Sequence, residues 1–411
     1  MGAEFRTRPE DNLQDSLVEL AELARTAGAV IAGEGWQKLN SPNAATFIGK
    51  GKAEELAEIC KEAEVDTVIF DDELSPAQTR NLEVLFDCKI LDRTTLILDI
   101  FAGRARTKEG KLQVELAQLR YLLPRLTRYW THLSRQRGGI GMRGGEGESQ
   151  LEMDRRKIGE RIDKLERELE MVRKQRTTQR RGRQRQQWPL ASLVGYTNAG
   201  KSTLFNALTG AAVLQEDRLF ATLDPTTRRL CLPSNQNILL SDTVGFIRKL
   251  PHRLVEAFKA TLEEVVEADL LLHIVDVAHP NAEPHMESVQ SVLKEIHADD
   301  KSMLLVFNKI DCLESSEYAR QWLARFPNSV AVSAKTGEGF DALFGELGTA
   351  LRPIRSFVEL AVPHHESGVM ARLHEIGQVV EKDYNGEKAR LKVRIPPHLM
   401  SEFERFVVAD K

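Results

Sequence analysis

The chain has 411 residues, 42% of them hydrophobic and 29% charged, with a net charge of −4 and a pI near 6.3. That is the composition of an ordinary soluble protein with enough apolar mass for real cores, and at roughly 150 residues per domain the length allows two to three domains. Cys60, Cys88, Cys231 and Cys312 are scattered with no CxxC pair, which argues against a zinc site or a disulfide framework. There is no basic-then-apolar leader and no apolar run of about 18 residues, so secretion and membrane spanning are not expected. A cytoplasmic monomer is expected, with a peripheral membrane-associated fraction left open.

Residues 1–5 read as an artificial addition to the chain. The chain starts Met-Gly, but Arg6 stands where a myristoylation signal needs Ser or Thr. From about residue 13 to 101 helical and strand patterns alternate. Leu13, Leu17, Leu20 and Leu23 sit at helical spacing, and residues 29–32 look like a short strand. Residues 53–63 read as a helix, 67–70 as a buried strand, and 75–86 as a helix with Ser75 as N-cap and Pro76 in its first turn. A strand at 89–91 and a helix at 94–101 follow. This alternation implies a small parallel α/β domain over residues 1–110.

The pattern changes at Lys111. Leu112, Leu116, Leu119, Leu123 and Leu126 share one helical face, a glycine-rich break occupies 138–147, and Leu151, Ile158, Ile162, Leu165, Leu169 and Val172 continue at heptad-like steps. Residues 111–187 therefore read as an antiparallel helical hairpin ending in a basic, flexible linker from 175. A second α/β domain covers 188–352, with strands at 190–194, 238–240, 270–275, 303–307 and 329–332. Residues 353–411 form a small α+β domain, with segments at 357–362, 368–376 and 389–395 and a short helix from Pro397.

The second α/β domain carries the chemistry. Gly195-Tyr196-Thr197-Asn198-Ala199-Gly200-Lys201-Ser202 fits GxxxxGK[ST], follows a strand and opens a helix in which Thr203 is an early residue. Such a loop wraps phosphates with backbone N–H groups, aided by the positive end of the helix. Lys201 is placed to bridge β- and γ-phosphate oxygens and Ser202 to ligate Mg²⁺. Asp242, after the next apolar strand, can hold Mg²⁺ through water, and the Gly245 N–H can contact the γ-phosphate. Asn308, Lys309 and Asp311 follow another strand. The Asp311 carboxylate can accept from N1–H and N2–H₂ of guanine, a donor pair that adenine lacks. Asn308 is expected to tie this loop to the phosphate loop, and the Lys309 stem to cover the base. Ser333, Ala334 and Lys335 follow one more strand, where the Ala334 N–H can reach guanine O6. Four motifs in order at strand carboxyl ends are where an open α/β sheet binds ligands. They predict a P-loop GTPase domain with a mixed, mostly parallel sheet, acting on GTP to give GDP.

A switch segment is expected between Ser202 and Asp242. The run from Phe220 through Thr222 to Thr226 and Thr227 supplies it, with Thr222 favoured as the Mg²⁺ ligand and Thr226 and Thr227 as alternatives. Phe246 stands where many GTPases carry a water-orienting glutamine, so slow intrinsic turnover is expected. Asn198 could help hold K⁺ near the phosphates, or serve only as a turn former.

Charge is unevenly spread. Arg120, Arg125, Arg128, Arg135, Arg137 and Arg143 lie in a stretch with no acid, interleaved with Tyr121, Tyr129, Trp130 and His132. Arg173, Lys174, Arg176, Arg180, Arg181, Arg183 and Arg185 form a second acid-free run. In an acidic protein these are an electrostatic footprint for RNA, with arginine forks for phosphate and aromatics for unpaired bases. Residues 49–52 (Gly-Lys-Gly-Lys) are a weaker anion candidate, read first as a helix entrance. His279, His285, His364 and His365 lack metal spacing and are expected at the surface.

Beyond the nucleotide motifs, the runs 91–94 (Leu-Asp-Arg-Thr), 97–102, 110–118, 132–141, 150–156 and 220–228 resemble the HflX family of translational GTPases over nearly the whole chain. The resemblance implies an N-terminal domain particular to that family, a helical linker, a GTPase domain, binding to the large ribosomal subunit and its RNA, and splitting of stalled ribosomes. An alternative is a GTP-dependent RNA-remodelling or regulatory protein acting away from intact ribosomes. The glycine loop departs from the family's Arg-Gly-Pro-Gly-Glu-Thr. It runs Arg-Gly-Gly-Glu-Gly-Glu-Ser over 143–149, one residue longer and without proline.

Overall fold

The computed structural model describes residues 1–5, 13–129, 146–184, 188–210, 219–220, 222–249, 259–351, 356–376, 378–385, 388–395 and 400–408. The first part runs β1 (Gly2–Phe5), α1 (Leu13–Thr26), β2 (Trp36–Leu39), α2 (Lys50–Glu62), β3 (Thr67–Phe70), α3 (Pro76–Phe86), β4 (Lys89–Asp92) and α4 (Arg93–Arg104). Its strands pair in parallel, β1 with β2 and β3 with β4. At α3 the Ser75 hydroxyl accepts from the Gln78 N–H (3.2 Å) while the Gln78 side chain accepts from the Ser75 N–H (2.9 Å). This reciprocal cap satisfies two donors at the helix end.

Two expectations fail here. Residues 1–5 are built into the fold: Gly2–Phe5 pair with Trp36–Leu39, and Ala3 is buried in the same apolar cluster as Phe47 and Phe70. Residues 29–32 form no strand, and Val30 is 94% exposed. The strand lies at Trp36–Leu39, where a polar Gln-Lys centre hides it from a hydrophobic-run reading.

Next come α5 (Lys108–Tyr129) and α6 (Glu146–Gln184). They meet along a seam of Leu112, Leu116, Leu165 and Leu169, flanked by a two-pronged Arg161–Glu115 pair (2.7 Å for each bond) and an Arg120–Glu166 pair (2.7 Å). Most of the glycine-rich break falls in 130–145, outside the described residues; Glu146 and Gly147 already belong to α6. Residues 175–184 are helical rather than a flexible linker. Arginine and glutamine are good helix formers, so a polar run can continue a helix without an apolar stripe.

The central unit runs β5 (Leu190–Gly195), α7 (Lys201–Thr209), β6 (Thr226–Cys231), β7 (Asn237–Asp242), α8 (Lys259–Val266), β8 (Leu270–Asp276), α9 (Ala282–Glu295), β9 (Met303–Asn308), α10 (Ser316–Arg325), β10 (Ser329–Ala331) and α11 (Phe340–Ala350). The six-stranded sheet has the order β10-β9-β8-β5-β7-β6, parallel except for β6. β6 has no counterpart in the sequence reading, because an edge strand that exposes Arg228 and Arg229 lacks the apolar run of a covered one. The chain closes with β11 (Ser356–Pro363), α12 (Ser367–Ile376), β12 (Gln378–Asn385), β13 (Lys388–Ile395) and α13 (Met400–Phe403), its strands forming an antiparallel sheet β11-β13-β12. β12 also escaped notice, being a largely exposed polar edge.

The N-terminal helices and the central sheet share one apolar core. Leu17, Leu20 and Leu23 of α1 and Leu96, Ile97 and Phe101 of α4 join Val194, Tyr196, Phe220, Phe246, Val265 and Val289 in a single buried cluster. A buried ionic cluster lies beside it. Arg93, 2% exposed, binds Asp71 (2.7 Å), Glu19 and the carbonyl of Arg248 (3.1 Å). Lys249 reaches Asp71 (2.6 Å), and the Tyr196 hydroxyl donates to Glu19. Removing one partner from such a cluster leaves charges stranded away from water. Arg93→Ala is therefore expected to destabilise the folded chain by about 3–5 kcal/mol, the range for breaking a buried ion pair. Denaturant unfolding measures this, and a loss below about 1 kcal/mol, the size of an exposed pair, would contradict it.

Candidate nucleotide site

The phosphate loop is shaped by three backbone positions that few residues tolerate. At the end of β5 a Cβ on Gly195 would run into the Ile274 carbonyl of β8, Asn198 has φ 61°, and Gly200 has φ 91° with Asn308 packed where a side chain would go. The positive φ accounts for asparagine at this turn. α7 then opens at Lys201, with Ser202 and Thr203 in its first turn. The Lys201 ammonium is buried and donates to the carbonyls of Gly195 (3.0 Å) and Tyr196 (2.7 Å). Burial pulls its pKa down to about 8, with the Asp242 charge opposing.

Beside it three oxygens converge. The Ser202 hydroxyl lies 2.8 Å from the Thr222 hydroxyl and 2.7 Å from Asp242 Oδ2, and Thr222 Oγ1 lies 3.0 Å from the same carboxylate oxygen. Burial raises the Asp242 pKa against the opposing pull of Ser202, Lys201 and Thr222. Asp242 Oδ1 is buried without a hydrogen-bond partner among the described residues. Two hydroxyls and a carboxylate, one oxygen of which is left unpaired, are the hard oxygen donors that suit Mg²⁺. Thr226 and Thr227, the alternatives to Thr222, are strand residues of β6, with Thr227 Oγ1 directed to Ser241 (3.4 Å).

The segment after β7 is pinned to the phosphate loop. Phe246 donates its N–H to the Gly195 carbonyl (3.1 Å) and accepts from the Thr197 N–H (2.7 Å). A Cβ on Gly245 would sit 2.7 Å from Thr197 Cγ2 and 3.1 Å from Lys201 Nζ, so no larger residue fits without displacing the loop. The Phe246 ring is 1% exposed and belongs to the shared core. It cannot orient a water molecule.

At the far end of the site Asn308 links two loops. Its amide donates to the Ala199 carbonyl (2.9 Å), and its oxygen accepts from the Ala334 N–H (2.9 Å). In this structure Asn308 thus holds the donor that was expected to face guanine O6. Lys309 pairs with Asp276 (2.7 Å). Asp311 is exposed on the short 3₁₀ turn Ile310–Cys312 and accepts from the Ser333 hydroxyl (2.7 Å), the bond that most lowers its pKa. Lys335 adds a weaker positive influence.

The arginine candidates divide. Arg125 is not available to RNA: it lies 3.4 Å over the Tyr121 ring and donates to the Leu74 carbonyl (2.9 Å), with Asp92 and Glu73 each at 3.4 Å. Tyr121 is likewise buried, its hydroxyl bound to Asp92. Arg120 remains at the surface, paired with Glu166. The side chains of Arg128, Arg180, Arg181 and Arg183 lie outside the described ones, as do residues Arg135, Arg137, Arg143 and Arg185. His285 is not a plain surface residue. It stacks on Tyr196 with ring centroids 3.7 Å apart, and burial, then His279 and Arg248, lower its pKa to about 3. The sequence reading missed Glu19, Asp71, Arg248 and Lys249, which form the cluster behind the phosphate loop. No local motif marks them.

Three family profiles match the chain in succession: "GTP-binding GTPase N-terminal" over residues 14–102, "GTP-binding GTPase Middle Region" over 104–183, and "50S ribosome-binding GTPase" over 191–309. Relatives named GTPase HflX include one from Escherichia coli strain K12, 48% identical across 94% of this chain and 91% of its own. Another, from Magnetococcus marinus, is 49% identical across 96% of this chain and 91% of its own. The chain belongs to the HflX family of GTPases. It binds GTP and hydrolyses it. Among solved structures, a GTP-binding protein from the archaeon Sulfolobus solfataricus in complex with GDP is 26% identical and aligns with 85% of this chain and 97% of its own, at a TM-score of 0.43. Among the described residues no helix is long and apolar enough to cross a membrane.

The Ser333-braced carboxylate of Asp311 generates a specificity test. Asp311→Asn is expected to weaken GTP binding by about 1–3 kcal/mol, the cost of an unmatched hydrogen-bonding partner. It should also favour xanthosine triphosphate, whose extra carbonyl can accept from the new amide. Nucleotide titration measures both, and unchanged GTP affinity would remove Asp311 as the base reader.

Proposed function

We propose that the chain holds Mg²⁺–GTP across the carboxyl edge of the central sheet, and that its nucleotide state governs association with the large ribosomal subunit. The convergence of the Ser202, Thr222 and Asp242 oxygens beside Lys201 carries the first half. In this reading the amides of residues 196–203 wrap the phosphates, and Lys201 exchanges its two carbonyl partners for β- and γ-phosphate oxygens. Ser202 and Thr222 ligate the metal, and Asp242 holds it through water. Mg²⁺ bound there neutralises charge that builds on the phosphate oxygens. Gly245 offers its N–H to the γ-phosphate, while Asn308, Lys309, Asp311, Ser333, Ala334 and Lys335 frame the guanine. With Phe246 committed to the core, turnover without a partner is slow.

The ribosomal half is supported by the description of the profile matched at 191–309 and by the two acid-free cation runs. With Arg125 committed inside the protein, the RNA contact falls to Arg128, Arg135, Arg137, Arg143, Arg180, Arg181, Arg183 and Arg185, with Arg120 at the margin. Splitting of stalled ribosomes is the function this contact serves.

Cations that neutralise RNA phosphates release condensed counterions, so subunit affinity should fall steeply with salt. Replacing Arg180, Arg181, Arg183 and Arg185 together by alanine should flatten that dependence and reduce the subunit's stimulation of hydrolysis, while GTP binding survives. Co-sedimentation with large subunits and GTP hydrolysis across a salt series test this. Wild-type behaviour of the quadruple variant throughout would assign the contact to the 128–143 run. Failure of the wild type to bind subunits, with free RNA bound instead, would favour an RNA-remodelling role away from ribosomes.

A further inference from the structure

Thr222 stands between two anchors on one corner of the N-terminal unit. Two residues before it, Phe220 is 2% exposed and adopts φ 57°, a conformation that an aromatic residue takes only when its surroundings compensate. The compensation is Phe101 of α4, whose ring meets Phe220 edge-on with centroids 4.6 Å apart. Two residues after Thr222, the Asp224 carboxylate accepts from the backbone N–H groups of Arg106 and Thr107 (2.9 Å each) and from the Thr107 hydroxyl.

Thr107 immediately precedes α5. Its hydroxyl accepts from the Gly110 N–H (2.9 Å) and its carbonyl from the Lys111 N–H (3.1 Å), so it caps that helix. Asp224 adds a negative charge where the helix dipole is positive and the first amides lack partners. A Cβ on Gly110 would collide with that carboxylate, so the helix admits Asp224 only because residue 110 is glycine. Two residues of extended chain span about 7 Å at most. With Phe220 and Asp224 both docked, Thr222 has little freedom to leave Ser202 and Asp242.

We propose that Asp224 is a positioning residue for GTP hydrolysis: by bracing Arg106 and the capping residue Thr107 at the entrance of α5 it holds Thr222 at the metal-binding oxygens and ties the state of the nucleotide to the base of the helical hairpin. This rests on the reading of Thr222 as a Mg²⁺ ligand. The hairpin then answers to the γ-phosphate side of the site through one carboxylate. By linkage, whatever pulls on α5 changes GTP affinity by the same factor.

The test compares the full chain with Asp224→Ala, Asp224→Asn, Thr107→Val and the Asp224→Ala/Thr107→Val pair. Fluorescence titration gives affinities for GDP and for a non-hydrolysable GTP analogue across a Mg²⁺ series, with hydrolysis followed alongside. Asp224→Ala should weaken Mg²⁺-dependent analogue binding by about fivefold, the scale of a lost helix cap, and raise the half-saturating Mg²⁺ concentration. GDP affinity should stay within about twofold. Asp224→Asn, which keeps an acceptor oxygen, should recover most of the loss, and the double variant should be no worse than Asp224→Ala alone, because the two groups form one contact. Unchanged analogue binding in Asp224→Ala, or equal weakening of GDP and analogue, would overturn the proposal. Thr222→Ala serves as the reference. If it leaves Mg²⁺ dependence untouched, the metal reading of Thr222 fails and the proposal with it; if it abolishes that dependence while Asp224→Ala has no effect, only the positioning role is lost.

Discussion

A guanidinium withdrawn from water must find its compensation inside the protein, and Arg93 draws most of it, all but a partner for Nε, from three segments far apart in sequence. Glu19 comes from α1, Asp71 from just after β3, and the Arg248 carbonyl from the stretch that follows Gly245 and Phe246. The cluster forms only when the N-terminal unit and the central unit are docked. The Tyr196 hydroxyl on Glu19 and the Lys249 ammonium on Asp71 extend it to the phosphate loop and to the segment after β7. A buried ion network of this kind adds little net stability over a well-packed apolar contact, but it penalises every other relative placement of its partners. Here the penalty fixes how the loop that holds phosphate faces the helices beside it.

The same economy governs the site. Asn308 bridges the phosphate loop and the Ala334 turn with one side chain, so the two loops are held together. Thr197 and Phe246 bridge the phosphate loop and the segment after β7 through backbone bonds. Around Thr222 the chain is held to the N-terminal unit through the side chains of Phe220, on Phe101 of α4, and Asp224, on Arg106 and Thr107 before α5. Order and disorder of such a segment is a common way for the γ-phosphate to change what a GTPase binds.

The parts of this arrangement that were legible in the sequence are local ones. Gly195, Gly200, Lys201 and Ser202 carry their backbone and charge requirements within eight residues, and Ser75 followed by Pro76 announces α3. Apolar strands covered on both faces stand out, whereas the polar edge strands β6 and β12 do not. Long-range chemistry was hidden. Lys249 and Asp71 are 178 residues apart. Arg125 shows the reverse error: a run without acids in sequence is not without acids in space, since Glu73 and Asp92 come to it from another segment. Thr222 was favoured in the sequence over Thr226 and Thr227, and the fold puts those two on a strand. Asp224 stood inside a recognised motif, but nothing in its neighbours foretold that it would bind the entrance of a helix more than a hundred residues earlier in the chain.

A nucleotide state felt in the N-terminal unit through docked contacts, and not only at the phosphates, would be visible in amide hydrogen exchange on the unmodified chain with Mg²⁺–GDP or with a non-hydrolysable GTP analogue. Slower exchange with the analogue is expected at Arg106 and Thr107, whose N–H groups Asp224 accepts, and in α1, with little change in the C-terminal antiparallel sheet. Identical exchange at Arg106, Thr107 and α1 in the two nucleotide states would contradict it.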